Sequence, residues 1–97
     1  MHERELRAFV SIAHIGRMDL AAKALGYSQP AISYQIKCLE LALGMTLFTR
    51  DSTGAKLTNA GHMILPTVRA VLVLLDSIKE SAVPANQLRI PQLSAAS

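Results

Sequence analysis

Cysteine, aromatic residues and charge are all scarce in this sequence. There is one cysteine, no tryptophan, two tyrosines and two phenylalanines in 97 residues. A lone Cys38 excludes an internal disulfide framework and a thiolate zinc site, and it fits a reducing compartment. Charged residues make up only 18% of the chain while hydrophobic residues reach 51%, which excludes intrinsic disorder as the general state. The longest uninterrupted aliphatic run covers residues 70–75, far short of the roughly 20 residues that a membrane span needs. The charged opening Met1-His2-Glu3-Arg4-Glu5 leads into no apolar stretch with a cleavage site, so no signal peptide is expected. A cytoplasmic protein without a membrane partner is the expectation. His2, His14 and His62 lie far apart with no carboxylate or thiol at ligand spacing, so no metal is expected. No glycine-rich phosphate loop and no Ser-His-Asp grouping can be assembled, so neither a cofactor nor an enzyme is expected.

What is present is helical periodicity cut by glycine. Leu6, Phe9, Val10 and Ala13 follow the i, i+3, i+4, i+7 spacing of an amphipathic helix that stops at Gly16. Asp19 suits the N-cap of a short second helix over residues 20–25, closed by Gly26. The turn Gly26-Tyr27-Ser28 leads to a third helix with Pro30 in its first turn and Ile32, Ile36, Leu39 and Leu43 along one face, up to Gly44. Residues 47–50 and 55–58 alternate around Asp51-Ser52-Thr53-Gly54 and predict a small hairpin. A long fourth helix is expected from Thr58 to about Ala82, kinked at Pro66.

The second and third helices, joined by a three-residue turn, make a helix-turn-helix, and the hairpin after them makes a wing. The expected fold is therefore mainly α: a winged helix-turn-helix of three helices and a small β-hairpin, followed by a long linker helix. Residues 1–58 are expected to form the head, 59–82 the linker or dimerisation helix, and 83–97 a disordered linker or the stub of a missing further domain. On the third helix the face opposite Ile32, Ile36 and Leu39 presents Ser28, Gln29, Ser33, Tyr34 and Lys37. These side chains suit base edges and phosphates, although a plain solvated face carries the same residue types. Arg50 and Lys56 flank the hairpin and could reach phosphates or a minor groove, or serve as ordinary surface charges. On the fourth helix Ile64, Val68, Val71, Leu75 and Ile78 form a heptad seam, read as a dimer interface with Leu65 and Leu72 left to pack on the first helix.

Several of these strings together resemble the N-terminal domain of LysR-type transcriptional regulators. They are Leu6-Arg7-Ala8-Phe9, Leu20-Ala21-Ala22-Lys23-Ala24-Leu25, and Ser28-Gln29-Pro30-Ala31-Ile32-Ser33 continuing to Leu39-Glu40. Leu43-Gly44, Leu47-Phe48-Thr49-Arg50 and Leu57-Thr58-Asn59-Ala60-Gly61 extend the likeness, which runs from residue 4 to about 82. The resemblance implies a bacterial regulator that binds double-stranded DNA at imperfect inverted repeats as a homodimer paired through the linker helix. It places DNA contacts on Gln29, Pro30, Ser33, Tyr34 and Lys37, with wing contacts at Arg50 and neighbours such as Thr53. The chain departs from the family pattern in carrying Tyr34 where Arg is common, and Thr53 and Cys38 where basic residues are frequent. Asp19 stands where a small hydroxyl residue is customary. Leu88-Arg89-Ile90 falls where the first strand of a sensor domain would start, so a shortened form without a small-molecule effector is expected. The rival expectation is an interaction module of the same fold that heterodimerises with another regulator through the fourth helix.

Overall fold

The computed structural model describes residues 1–52 and 54–81. Four helices and one hairpin follow in the order α1 (Glu3–Ile15), α2 (Met18–Leu25), α3 (Gln29–Leu43), β1 (Phe48–Asp51), β2 (Gly54–Leu57) and α4 (Asn59–Ser81). The winged helix-turn-helix with a long last helix is thus present as expected. The expectations for Thr53 and for residues 83–97 lie outside the described residues.

Local chemistry sets the boundaries. Gly26 takes φ 77° at the α2 C-terminus, a left-handed conformation in which a side chain would be strained, and this turns the chain directly into α3. Ser28 Oγ accepts the Ala31 N–H at 3.2 Å, capping α3, and Pro30 in the first turn gives up only an N–H that had no helical partner. Thr58 Oγ1 accepts the Gly61 N–H at 3.0 Å and caps α4 as expected. Gly61 itself is buried, and a Cβ there would collide with the Leu47 carbonyl, so the wing and the start of α4 meet backbone to backbone. The α4 helix then runs without interruption through Pro66 to Ser81.

Three expectations are corrected. Helix α2 begins at Met18 with Arg17 as its N-cap residue, because Met18, only 6% exposed, is drawn into the core two residues before the start that an Asp19 cap would set. Asp19 sits inside the first turn and bonds Arg17 instead of capping. The strands are shifted by one residue, pairing Phe48 with Leu57 and Asp51 with Gly54. Leu47 stays outside β1 because its side chain is fully buried and its N–H donates to Glu40 Oε2 at 2.7 Å.

The third correction concerns the seam. Val68 (7% exposed) and Leu72 (8%) belong to the core of the chain itself, and Ile64, Leu65 and Leu75 pack against that core. Of the five seam residues only Val71 and Ile78 are exposed, and with Leu74 they form the apolar line that α4 leaves open. Helix α4 packs on α1 and on β2, Val68 and Leu72 are buried in the shared core with Leu75 against it, and Leu74 takes the place of Leu75 in the open stripe.

The core joins all the elements. Ala21 and Ala22 let α2 and α3 approach closely, and Ile32 fills the angle between them with no exposure. Phe9 of α1 meets Phe48 of β1 edge to face, 5.5 Å between ring centroids, so one aromatic pair bonds the first helix to the wing. At the far end Arg7 bridges Glu3 at 2.7 Å and Asp76 at 2.6 Å, while Lys79 reaches Glu3 at 2.6 Å. These pairs hold Glu3 below the usual carboxylate range, chiefly through its bond to Lys79 and then Arg7.

Candidate nucleic-acid interface

The start of α3 gathers most of the residues singled out in the sequence. Ser28, Gln29, Pro30, Tyr34 and Lys37 are exposed on it, and Ser33 is half-buried among them. Tyr34 stands 69% exposed, so an aromatic ring with a hydroxyl projects from the middle of this face. A side-chain hydrogen bond with Cys38, one turn on, pushes the Tyr34 phenol above its ordinary value and keeps it neutral. The opposite face of the same helix carries the core residues Ile32, Ile36 and Leu39.

The wing meets this face at Arg50. Arg50 Nη2 donates to Ser33 Oγ at 2.6 Å, which sets the guanidinium of β1 beside the exposed residues of α3. Lys56 lies farther out on β2, exposed and 3.8 Å from Asp51 of its own hairpin. The structure therefore brings Arg50 to α3 and leaves Lys56 on the outer side of the wing.

Two residues that shape the site had not been singled out for it. Glu40 of α3 is turned to the wing: Oε2 accepts the N–H groups of Leu47 and Phe48 at 2.7 and 3.4 Å. Its charge is spent on orienting the wing. Arg17 lies at the mouth of a groove of about 490 Å³ bounded by the starts of α2 and α3 and by the wing, which also takes in Asp19, Gln29, Arg50 and Ser52. Arg17 Nη2 bonds Asp19 Oδ2 at 2.7 Å and Nε bonds Oδ1 at 3.1 Å. Spacing alone gives i and i+2 in a helix start, which does not signal a side-chain pair. Among the described residues no group of three or more His, Cys, Asp or Glu could hold a metal ion.

Residues 4–62 match the family described as "Bacterial regulatory helix-turn-helix protein, lysR family". The chain belongs to the LysR family. Among curated LysR-type relatives, the transcriptional regulator TcbR of Pseudomonas sp. (strain P51) is 38% identical over 96 residues, 99% of this chain and 33% of TcbR. BudR of Klebsiella aerogenes is 44% identical over 82 residues, 84% of this chain and 57% of BudR. The chain thus spans between a third and somewhat over half of the length of these relatives, and the part it covers is the LysR DNA-binding domain. The crystal structure of the CbnR DNA-binding domain in complex with DNA superimposes with a TM-score of 0.79 at 40% identity, over 82% of this chain and 92% of that one.

Proposed function

We propose that this LysR-type domain binds double-stranded DNA in a sequence-specific way, as a homodimer paired through α4, on imperfect inverted repeats. It works in the cytoplasm, where the DNA is, and carries out no catalysis. The observation that carries the reading is the Arg50–Ser33 bond, which joins the wing cation to the exposed start of α3 and makes one surface of Gln29, Ser33, Tyr34, Lys37 and Arg50. A helix start of this kind fits the major groove, with the wing on the adjoining backbone.

Gln29, exposed at the start of α3, carries the carboxamide of that surface, which can accept from and donate to two atoms of an adenine edge. Gln29→Ala is expected to cost about 1–3 kcal/mol on the cognate site and much less on random DNA. Titration of both duplexes checks this, and equal losses would make Gln29 a backbone contact only. Arg50→Ala should weaken binding to all sequences and lower the slope of log affinity against log salt by about one. An unchanged slope would take the wing off the DNA.

The pairing through α4 rests on the exposed line of Val71, Leu74 and Ile78. By length and composition alone α4 is apolar enough to cross a membrane, and most of it is not buried within the chain. One face of α4 is already docked on the head through Val68 and Leu72, and a second copy is the partner that covers the other. The same stripe would serve a heterodimerising module, and a gel shift in moderate salt separates the two: the DNA-binding reading requires a shifted duplex.

A further inference from the structure

The groove between the starts of α2 and α3 and the wing carries two guanidinium groups, from Arg17 and Arg50. They are held differently. Arg50 bonds a neutral hydroxyl, whereas Arg17 is gripped at two nitrogens by the carboxylate of Asp19, its partner two residues on. Both members of this pair are open to solvent, with side chains 56% and 43% exposed, so the bond is made on the groove surface and not beneath it. The Asp19 carboxyl is held below its usual range, first by Arg17 and also by backbone N–H groups of Leu20 and of its own residue. It is charged at any neutral pH.

An exposed ion pair contributes little net stability, because each partner is nearly as well solvated apart. Its consequence for an incoming polyanion is larger. Gln29 lines the same groove as Arg17 and Arg50, so a duplex read by Gln29 would bring its phosphates within reach of both guanidinium groups. A phosphate that engages Arg17, whether through the Nη1 side that Asp19 leaves open or by displacing Asp19, stays beside the Asp19 carboxylate. The carboxylate already neutralises the guanidinium, so the contact adds little charge neutralisation and little net release of counterions.

We infer that Asp19 is a built-in competitor for DNA phosphate at Arg17, which lowers the affinity of the domain for any duplex and reserves tight binding for sites read by α3. This rests on the DNA-binding reading above. It makes Arg17 a phosphate-contacting residue whose contribution is cancelled in the native chain, and Asp19 a residue that sets specificity without touching a base.

The test is a double-mutant cycle on a random-sequence duplex of about 30 base pairs, titrated across a range of salt concentrations. Asp19→Asn should tighten binding roughly three- to tenfold and steepen the salt slope by about one, the signature of one added phosphate contact. Arg17→Ala alone should weaken binding, because it leaves the Asp19 carboxylate unpaired on the groove, and Arg17→Ala combined with Asp19→Asn should return affinity and slope to those of the parent. Asp19→Ser, which keeps a polar group in the first turn of α2, should repeat the result and exclude an effect of the amide. If Asp19→Asn leaves affinity and slope unchanged, or if its gain survives Arg17→Ala, the competitor role is overturned while binding by the parent leaves the DNA reading intact. If neither the parent nor Asp19→Asn binds the duplex at low salt, both are overturned.

Discussion

Glutamate placed at both Leu74 and Ile78 is expected to yield a folded monomer that has lost about 100-fold or more of its affinity for an operator of two half-sites. Both side chains are 64% exposed on the same side of α4, so the change leaves the core of the chain untouched. In a pair of helices the same positions would be buried, and four carboxylates facing one another without partners could not be accommodated. The loss on a double site comes from avidity: two tethered heads bind the second half-site as an intramolecular step, which commonly adds a factor of 10²–10⁴. Binding to a single half-site should be unchanged. Sedimentation and titration on single and double sites check both parts, and a variant that stays dimeric would remove α4 from the interface. Leu75 is the poorer place for such a charge, since it packs against the core and its loss would confuse unfolding with dissociation.

The largest loss of stability is expected from Phe9→Ala. Phe9 is fully buried and its ring meets Phe48 edge to face, so truncation removes the aromatic contact and leaves a cavity between α1 and the wing. Large-to-small changes of this kind cost about 3–5 kcal/mol. A domain of this size has about 5–15 kcal/mol in all, and the melting temperature should fall by about 15–30 °C. Thermal and denaturant melts give the measurement. A loss under about 1 kcal/mol would show that the α1–wing contact is not a keystone of the fold. With only four aromatic rings in the chain, no other ring stands ready to fill the gap.

The helices were legible because glycines and apolar spacing agree at each boundary. Gly16, Gly26 and Gly44 stand just past the ends of α1, α2 and α3, and Ile32, Ile36 and Leu39 are buried as their spacing implied. The start of α2 was misread because a capping preference is a local rule, and the burial of Met18 overrides it. The seam was misread for a related reason. A heptad pattern says which residues share a stripe but not which neighbour covers it, and α1 takes most of the stripe before a second chain could. The exposed residues of α3 could be named from type and position alone. The Arg50–Ser33 bond, the Glu40 bonds to the wing backbone and the Arg17–Asp19 pair could not, since each depends on how a strand or a helix start is aimed.

The ion pairs at the far end of the molecule join the first turns of the chain to its last described helix, across 69 residues for Arg7–Asp76 and 76 for Lys79–Glu3. Among the described residues Leu75 is the last of α4 packed against the core, and beyond it Asp76 and Lys79 meet Arg7 and Glu3 through ion pairs. Apolar docking is indifferent to ionic strength, while exposed ion pairs are screened by it. Helix α4 is therefore held to the head by two attachments of different chemistry, and salt would weaken the one near Asp76 and Lys79 while leaving the apolar seat of Val68 and Leu72 in place.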